Sequence, residues 1–249
     1  MFLIHPSGGL RYHWRAHLYR KTLWAPFCKS VEDFLESWDC KKEHLILIGP
    51  SAAYTLPTHW LASFNKITCF DLDIMAPFFF KLRHGQFQSI KIRPIWKTTD
   101  FIYNPSNLNL LSELDPQATI LFSNVLGQRL FLGPDYPDWM SQFNIWIGNN
   151  PNRQWASYHD VFSSTQPPIV PPRSSPPSLH VTAANLQSTQ EELINLFWPP
   201  NTFSSTDTVD TILQDHGTWG MTPQLPRIYS LWQLLPQRWH LIEMVKSPG

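Results

Sequence analysis

Residues 44–73, HLILIGPSAAYTLPTHWLASFNKITCFDLD, carry two short apolar runs with a turn and a helical pattern between them, and their reading decides the fold. His44 to Gly49 (HLILIG) is an apolar run of strand length that closes on a glycine. A turn of small residues follows, and Thr58 to Phe64 then reads as a helix. Lys66 to Asp71 (KITCFD) is a second strand-length run, this one ending in an acid. Strand, loop, helix, strand is the opening of a parallel sheet, because parallel neighbours need a crossover and a helix is the usual one.

On the N-terminal side, Leu10 to Trp38 is helical in pattern, with Trp14, Leu18, Trp24, Val31, Phe34, Leu35 and Trp38 as apolar positions and a break near Pro26. Two helices are expected there, forming an extension over residues 1–44 packed on a core domain of residues 45–249. On the C-terminal side, Ile74 to His84 reads as a helix despite Pro77, Ser89 to Trp96 as a third strand, and Ala118 to Ser123 as a fourth, after the helix-like NLNLLSEL. After Gln128 comes an irregular aromatic stretch. The tract TQPPIVPPRSSPP, residues 165–177, is a loop, since proline cannot donate to a helix or sheet ladder. A fifth strand is expected at Leu179 to Ala183 and a helix over TQEELINLFW. RIYSLWQLL and RWHLIEMVK, parted by Pro236 and Gln237, should form an antiparallel hairpin at the sheet edge. The sum is an α/β fold: a mainly parallel, seven-stranded sheet with helices on both faces and a C-terminal antiparallel hairpin.

Composition narrows the function. Of 249 residues, 43% are hydrophobic and 15% charged, enough apolar side chain for one core. Lys plus Arg and Asp plus Glu are both 19, so no global field draws in nucleic acid or anionic lipid. Cys28, Cys40 and Cys69 are sparse and lack CxxC spacing, which argues against a disulfide framework and a structural zinc. The opening MFLIHPSGG has too short an apolar run for a signal peptide, and no stretch reaches membrane-spanning length. A cytoplasmic protein without a membrane anchor is the expectation.

In open parallel sheets, ligands sit beyond the carboxyl ends of the strands. The turn GPSAAYTLP places Gly49, Pro50, Ser51, Ala52 and Ala53 where a ligand would approach the backbone. Asp71 ends the next strand 22 residues after Gly49, close to the spacing of about 20 at which an acid accepts ribose hydroxyls in nucleotide cofactor sites. Asp73 is its neighbour on the same face, and Asp71 is favoured on position.

Through LILIGPSAAYTLP, ITCFDLDIMAP, TILFSNVLGQ and the closing RWHLIEMVK, the chain resembles the class I S-adenosylmethionine-dependent methyltransferases, a Rossmann-like family. More narrowly it is similar to a group of uncharacterised predicted bacterial methyltransferases, through PSGGLRYHWRAHLYRKTLWAPF and WASYHD. The resemblance implies S-adenosylmethionine as cofactor and an unidentified methyl acceptor. It implies that Gly49, Pro50, Ser51, Ala53 and Asp71 hold the cofactor, that Asp100 contacts adenine, and that Ser123 and Asn124 line the methyl-transfer centre. The chain departs from the family's turn of three spaced glycines: Gly49 stays, Ser51 and Ala53 stand at the later positions, and Leu47 replaces the acid two residues before the first.

An oxygen or nitrogen acceptor can require a base, which singles out histidines near acids. His13, His159 with Asp160, and His216 with Asp215 are the candidates. His159, His216 and Asp160 are taken as the catalytic set, with His159 first and Trp155 and Tyr158 as an acceptor wall. Loss of turnover with intact cofactor binding is then the expectation for His159→Ala. A metal is not expected, because neither HxH nor HExxH occurs. Arg11, Arg15, Arg20 and Lys21, interleaved with Tyr12, Trp14 and Tyr19, are the candidate surface for RNA or another anionic acceptor. The plainer reading is a solvated helix face with Trp14 and Leu18 turned to the core. Two other functions stay open: a non-catalytic protein on the same fold, and an NAD(P)-dependent oxidoreductase, disfavoured by Ser51 at the second glycine position. Neither DPPY nor NPPY occurs, which withdraws support from base-amino methylation.

Overall fold

The computed structural model describes residues 9–85, 93–99, 101, 107–128, 139–169, 178–180, 185–199, 213–219 and 225–248. The elements are α1 (Gly9–Tyr19), α2 (Ala25–Glu36), β1 (His44–Ile48), α3 (Thr58–Ala62), β2 (Lys66–Phe70), α4 (Ala76–His84), β3 (Ile95–Lys97), α5 (Asn107–Glu113), β4 (Thr119–Ser123), α6 (Trp139–Asn149), β5 (Trp155–Ser164), β6 (Ser178–His180), α7 (Leu186–Phe197), β7 (Leu213–Asp215), β8 (Pro226–Leu235) and β9 (Arg238–Lys246). Pro26 and Pro77 sit in the first turns of α2 and α4, where no amide donor is required, so neither breaks its helix.

One sheet runs β3-β2-β1-β4-β5-β9-β8-β6, with β7 also paired to β5. The five strands from β3 to β5 are parallel, and β9 pairs antiparallel with both β5 and β8. The seven expected strands are present as β1 to β4, β6, β8 and β9, with β3 and β6 short among the described residues; β5 and β7 add to them. The hairpin is less peripheral than its sequence suggests: β9 is an inner strand, and β6 pairs with the first three residues of β8, Pro226 to Ile228, which shortens the exposed edge. No helix among the described residues is long and apolar enough to cross a membrane.

β1 and β4 are buried along their whole length, which is why both read as unbroken apolar runs. Alternate residues feed two cores. Leu45, Leu47, Leu121, Tyr158, Ile242 and Met244 face α1 to α4, where Trp24, Phe27 and Trp60 pack. Ile46, Ile48, Ile120 and Phe122 face the other way, with Phe143 and Trp146 of α6. The N-terminal helices belong to the first core: Phe27 stacks on Trp232 with ring centroids 4.8 Å apart, and Trp24 donates Nε1–H to the Leu234 carbonyl at 3.1 Å.

Three expectations need correction. Residues 139–164 are not irregular: they form α6 and the ten-residue, fully buried β5. The polar residues of WASYHDVFSS hid this strand, because they are satisfied within the strand, as Ser157 with His159, or by residues far along the chain, as Asp160 by His240 and Ser163 by His216. Trp14 and Leu18 are 64% and 45% exposed, so the buried face of α1 is Gly9, His13 and Ala16 instead. Trp155 and Tyr158, three residues apart on β5, lie on opposite faces of the sheet and cannot form one wall.

Candidate functional site

The chain passes from β1 through β2 to β3 on one side, then returns to place β4 against the other side of β1. That reversal lies above the carboxyl ends of β1, β2 and β4, the place where open α/β sheets form the crevice that binds ligands. The turn above β1 has a left-handed backbone at Gly49, Ser51 and Ala53, with φ of +64°, +46° and +54°. Side chains normally avoid this region at a cost of about 1–2 kcal/mol per residue. Ser51 and Ala53 therefore keep the path that glycines would take, despite their Cβ atoms. Gly49 has no such latitude, since a Cβ there would lie 2.9 Å from Val125 Cβ. Pro50 lies between, and its carbonyl accepts from the Ala53 N–H at 2.7 Å.

Asp71 closes the crevice at β2. Its Oδ2 accepts from the Ser51 N–H at 2.6 Å and its Oδ1 from the Asp73 N–H at 2.8 Å, so the acid and the turn brace each other. Burial raises its pKa from 3.8 to about 6, against the pull of those two amide bonds. Asp73 differs. Burial pushes its pKa up, but the His13 contact and the Met75 N–H outweigh that and hold it below the usual carboxylate range. His13 of α1 spans the crevice, with Nε2 2.9 Å from Asp73 Oδ2 and Nδ1 2.9 Å from the Tyr54 hydroxyl, while Arg20 donates Nε–H to the Tyr54 carbonyl at 2.7 Å. α1 is thus fastened to the loops after both β1 and β2.

At β4, Ser123 Oγ bonds the Tyr158 hydroxyl, which also meets Thr55 Oγ1 at 2.7 Å. Burial raises the Tyr158 pKa to about 12, so it remains a neutral donor. Asn124 is left-handed, with φ +54°, and its Oδ1 accepts from the Asp160 N–H at 3.2 Å. Gly49, Ser51, Ala53, Asp71, Ser123 and Asn124 therefore lie around one crevice, whereas Asp100 is outside the described residues.

The catalytic set does not assemble as expected. His159 and Asp160 point to opposite faces of β5. His159 is fully buried, bonded through Nδ1 to Ser157 Oγ at 2.9 Å, with Nε2 3.7 Å from Glu243. Burial, then the Arg227 charge, push its pKa down to about 3. Its Nε2 turns to the Arg227–Glu243 pair, on the face of β5 away from Tyr158 and Ser123, so His159 serves the core and not the crevice. It belongs to a fully buried group in which Arg227 Nε lies 3.0 Å from Glu243 Oε1 and the Tyr229 hydroxyl donates to Glu243 Oε2 at 2.7 Å. His216 is also occupied: Nδ1 meets the Gly127 carbonyl and Nε2 meets Ser163 Oγ, both at 3.0 Å. Asp160 pairs with His240, a residue not singled out from the sequence; the histidine interrupting the apolar run of RWHLIEMVK was the available signal. Glu32, Glu36 and His59 gather at the surface of α2 and α3, where Lys29 already neutralises Glu32.

No protein-family model matches the chain, and no curated protein matches it. Solved structures resemble it at low identity. A SAM-dependent methyltransferase from Aquifex aeolicus shares 8% identity over 91% of each chain with a TM-score of 0.41. The N-methyltransferase NodS from Bradyrhizobium japonicum WM9 shares 13% identity over 89% of this chain and 94% of its own, with a TM-score of 0.40. The 23S rRNA methyltransferase ErmE shares 12% identity over 53% of this chain, with a TM-score of 0.35, and the chain spans about half of its length, 46%. The fold itself is defined by the strand order and register given above.

Proposed function

We propose that the protein binds S-adenosylmethionine in the crevice above β1 and β2 and transfers its methyl group to an acceptor entering beside β4. The observation that carries this is the turn: three residues at alternate positions, Gly49, Ser51 and Ala53, hold left-handed backbone although only one is glycine. Strain of this kind persists where the surroundings over-determine it, and it concentrates at ligand sites. The donor set fits the cofactor. An ionised carboxylate has about four lone-pair sites, and the Ser51 and Asp73 amides on Asp71, with a weaker one from Leu72, leave capacity for ribose hydroxyl donation. Gly49, Pro50, Ser51 and Ala53 would lie against the cofactor's backbone-facing side, with Ser123 and Asn124 toward the reacting methyl.

When bound, the cofactor supplies a methyl group on a positively charged sulfur; the chain's own residues align the acceptor and keep water out. α1, tied to both loops by His13 and Arg20, is the element that excludes water. A cytoplasmic setting, and the division into an extension over 1–44 and a domain over 45–249, belong to the same proposal. Calorimetric titration with S-adenosylhomocysteine tests it. Saturable binding that is lost in Asp71→Ala is expected; a folded protein giving neither heat nor a thermal shift at saturating ligand would exclude the function.

A further inference from the structure

Past the end of β4 the sheet continues through β5 and β9, and a carboxylate and an imidazole meet there on the Tyr158 face. Asp160 Oδ1 lies 3.0 Å from His240 Nδ1, and both residues are less than a tenth exposed. The acid is held on three sides. Its N–H donates to Asn124 Oδ1, its carbonyl accepts from Thr218 Oγ1 at 2.8 Å, and Gly127 leaves it room, since a Cβ there would fall 2.6 Å from Asp160 Cβ. The pair therefore adjoins the loop after β4, on the acceptor side of the crevice.

An acid on Nδ1 keeps the proton on that nitrogen and leaves the lone pair of the neutral ring on Nε2. His240 Nε2 is buried and has no hydrogen-bond partner among the described residues. His216, whose ring centroid is 5.9 Å away, shows the contrast, since both of its nitrogens are engaged. Buried polar atoms are nearly always bonded, so an orphan at a ligand crevice asks for a function. The surroundings are aromatic: Trp232 lies 6.1 Å from the His240 ring, and Tyr12, its pKa raised by burial, is close enough to Asp160 to be raised further by that charge.

We propose that His240 Nε2 is the base that takes the acceptor's proton during methyl transfer, with Asp160 as its positioning residue, and that the acceptor is a hydroxyl on an aromatic ring. This rests on the S-adenosylmethionine reading above. A neutral amine attacks with a lone pair already free, so a hydroxyl acceptor makes the greater demand on a base in the transfer step itself. A phenolic hydroxyl, with a pKa of about 10, lies closer to an imidazole in proton affinity than water-like hydroxyls near about 16, so its proton is the easier one to take. In the step, the methyl-to-sulfur bond breaks as the methyl-to-oxygen bond forms. The O–H electron pair stays on oxygen, and the proton passes to Nε2. The resulting imidazolium faces Asp160 until it releases the proton to solvent.

The test uses the full chain, tritiated S-adenosylmethionine and catechol as the acceptor probe, with S-adenosylhomocysteine calorimetry on the same preparations. Wild-type protein should label catechol. His240→Gln should lower the rate at least about a hundredfold and leave the S-adenosylhomocysteine affinity within about threefold. Nitrogen-15 spectra should place the neutral His240 proton on Nδ1 in wild type and show that preference lost in Asp160→Asn, whether or not His240→Gln folds. Unlabelled catechol with wild-type protein that binds S-adenosylhomocysteine, a nearly active His240→Gln, or a proton on Nε2 would each overturn this inference alone. Failure of wild type to bind S-adenosylhomocysteine would overturn the cofactor reading beneath it.

Discussion

Lowering the pH from about 7.5 to about 5 should weaken S-adenosylhomocysteine binding and stabilise the ligand-free protein, both through Asp71. Its carboxyl titrates at about 6 in the fold, against an ordinary value of 3.8. Only the carboxylate can accept from ribose hydroxyls while still holding the Ser51 and Asp73 amides. It is nearly fully ionised at about pH 7.5 and about one tenth ionised at about pH 5, so the dissociation constant should rise about tenfold across that interval. The stability effect has the opposite sign. Because the folded pKa is raised, Asp71 contributes stability that is fully present below about 3.8 and is lost as the pH climbs through about 6. At about 1.4 kcal/mol per unit, the full loss is about 3 kcal/mol, of which about 1.4 kcal/mol falls between about pH 5 and 7.5. Calorimetry at both pH values gives the affinity, and urea unfolding with and without Asp71→Asn isolates this residue's share of the stability change. An affinity that stays flat from about pH 5 to 7.5, or an Asp71→Asn protein with the same pH dependence as wild type, would refute the assignment of Asp71 as the buried ribose acceptor.

The crevice and the core yield further expectations. Gly49→Ala combines a left-handed residue with a 2.9 Å approach to Val125 and should cost about 3 kcal/mol by chemical denaturation, with loss of S-adenosylhomocysteine binding. Ser51→Gly relieves a φ of +46° and, after the added chain entropy of glycine, should raise stability by about 0.5–1 kcal/mol without weakening the ligand; a destabilised variant would show that the turn is not strained. Glu243→Gln strands the buried Arg227 charge and should cost about 3–5 kcal/mol, whereas Glu243→Leu with Arg227→Met should be close to neutral in urea unfolding.

Much of the fold was legible from local pattern. LILIG and KITCF are buried strands that read as such because both faces of an inner parallel strand are apolar. Gly49 and Asp71 were legible for a similar reason: a turn and a strand-end acid occupy positions along the chain that spacing alone marks. β5 escaped notice because His159 and Asp160 are buried by pairing with residues about 80 positions away, and no local period records that. The same long-range pairing decided the chemistry. Adjacent in sequence, His159 and Asp160 look like a pair, yet strand alternation sends them to opposite faces, one to Glu243 in the core and the other to His240 beside the crevice. Residue order thus determined which elements form and where a ligand would meet the backbone. Which histidine stands next to which acid was decided only by the register between β5 and β9, because hydrogen-bond partners in a sheet are chosen across strands and not along them.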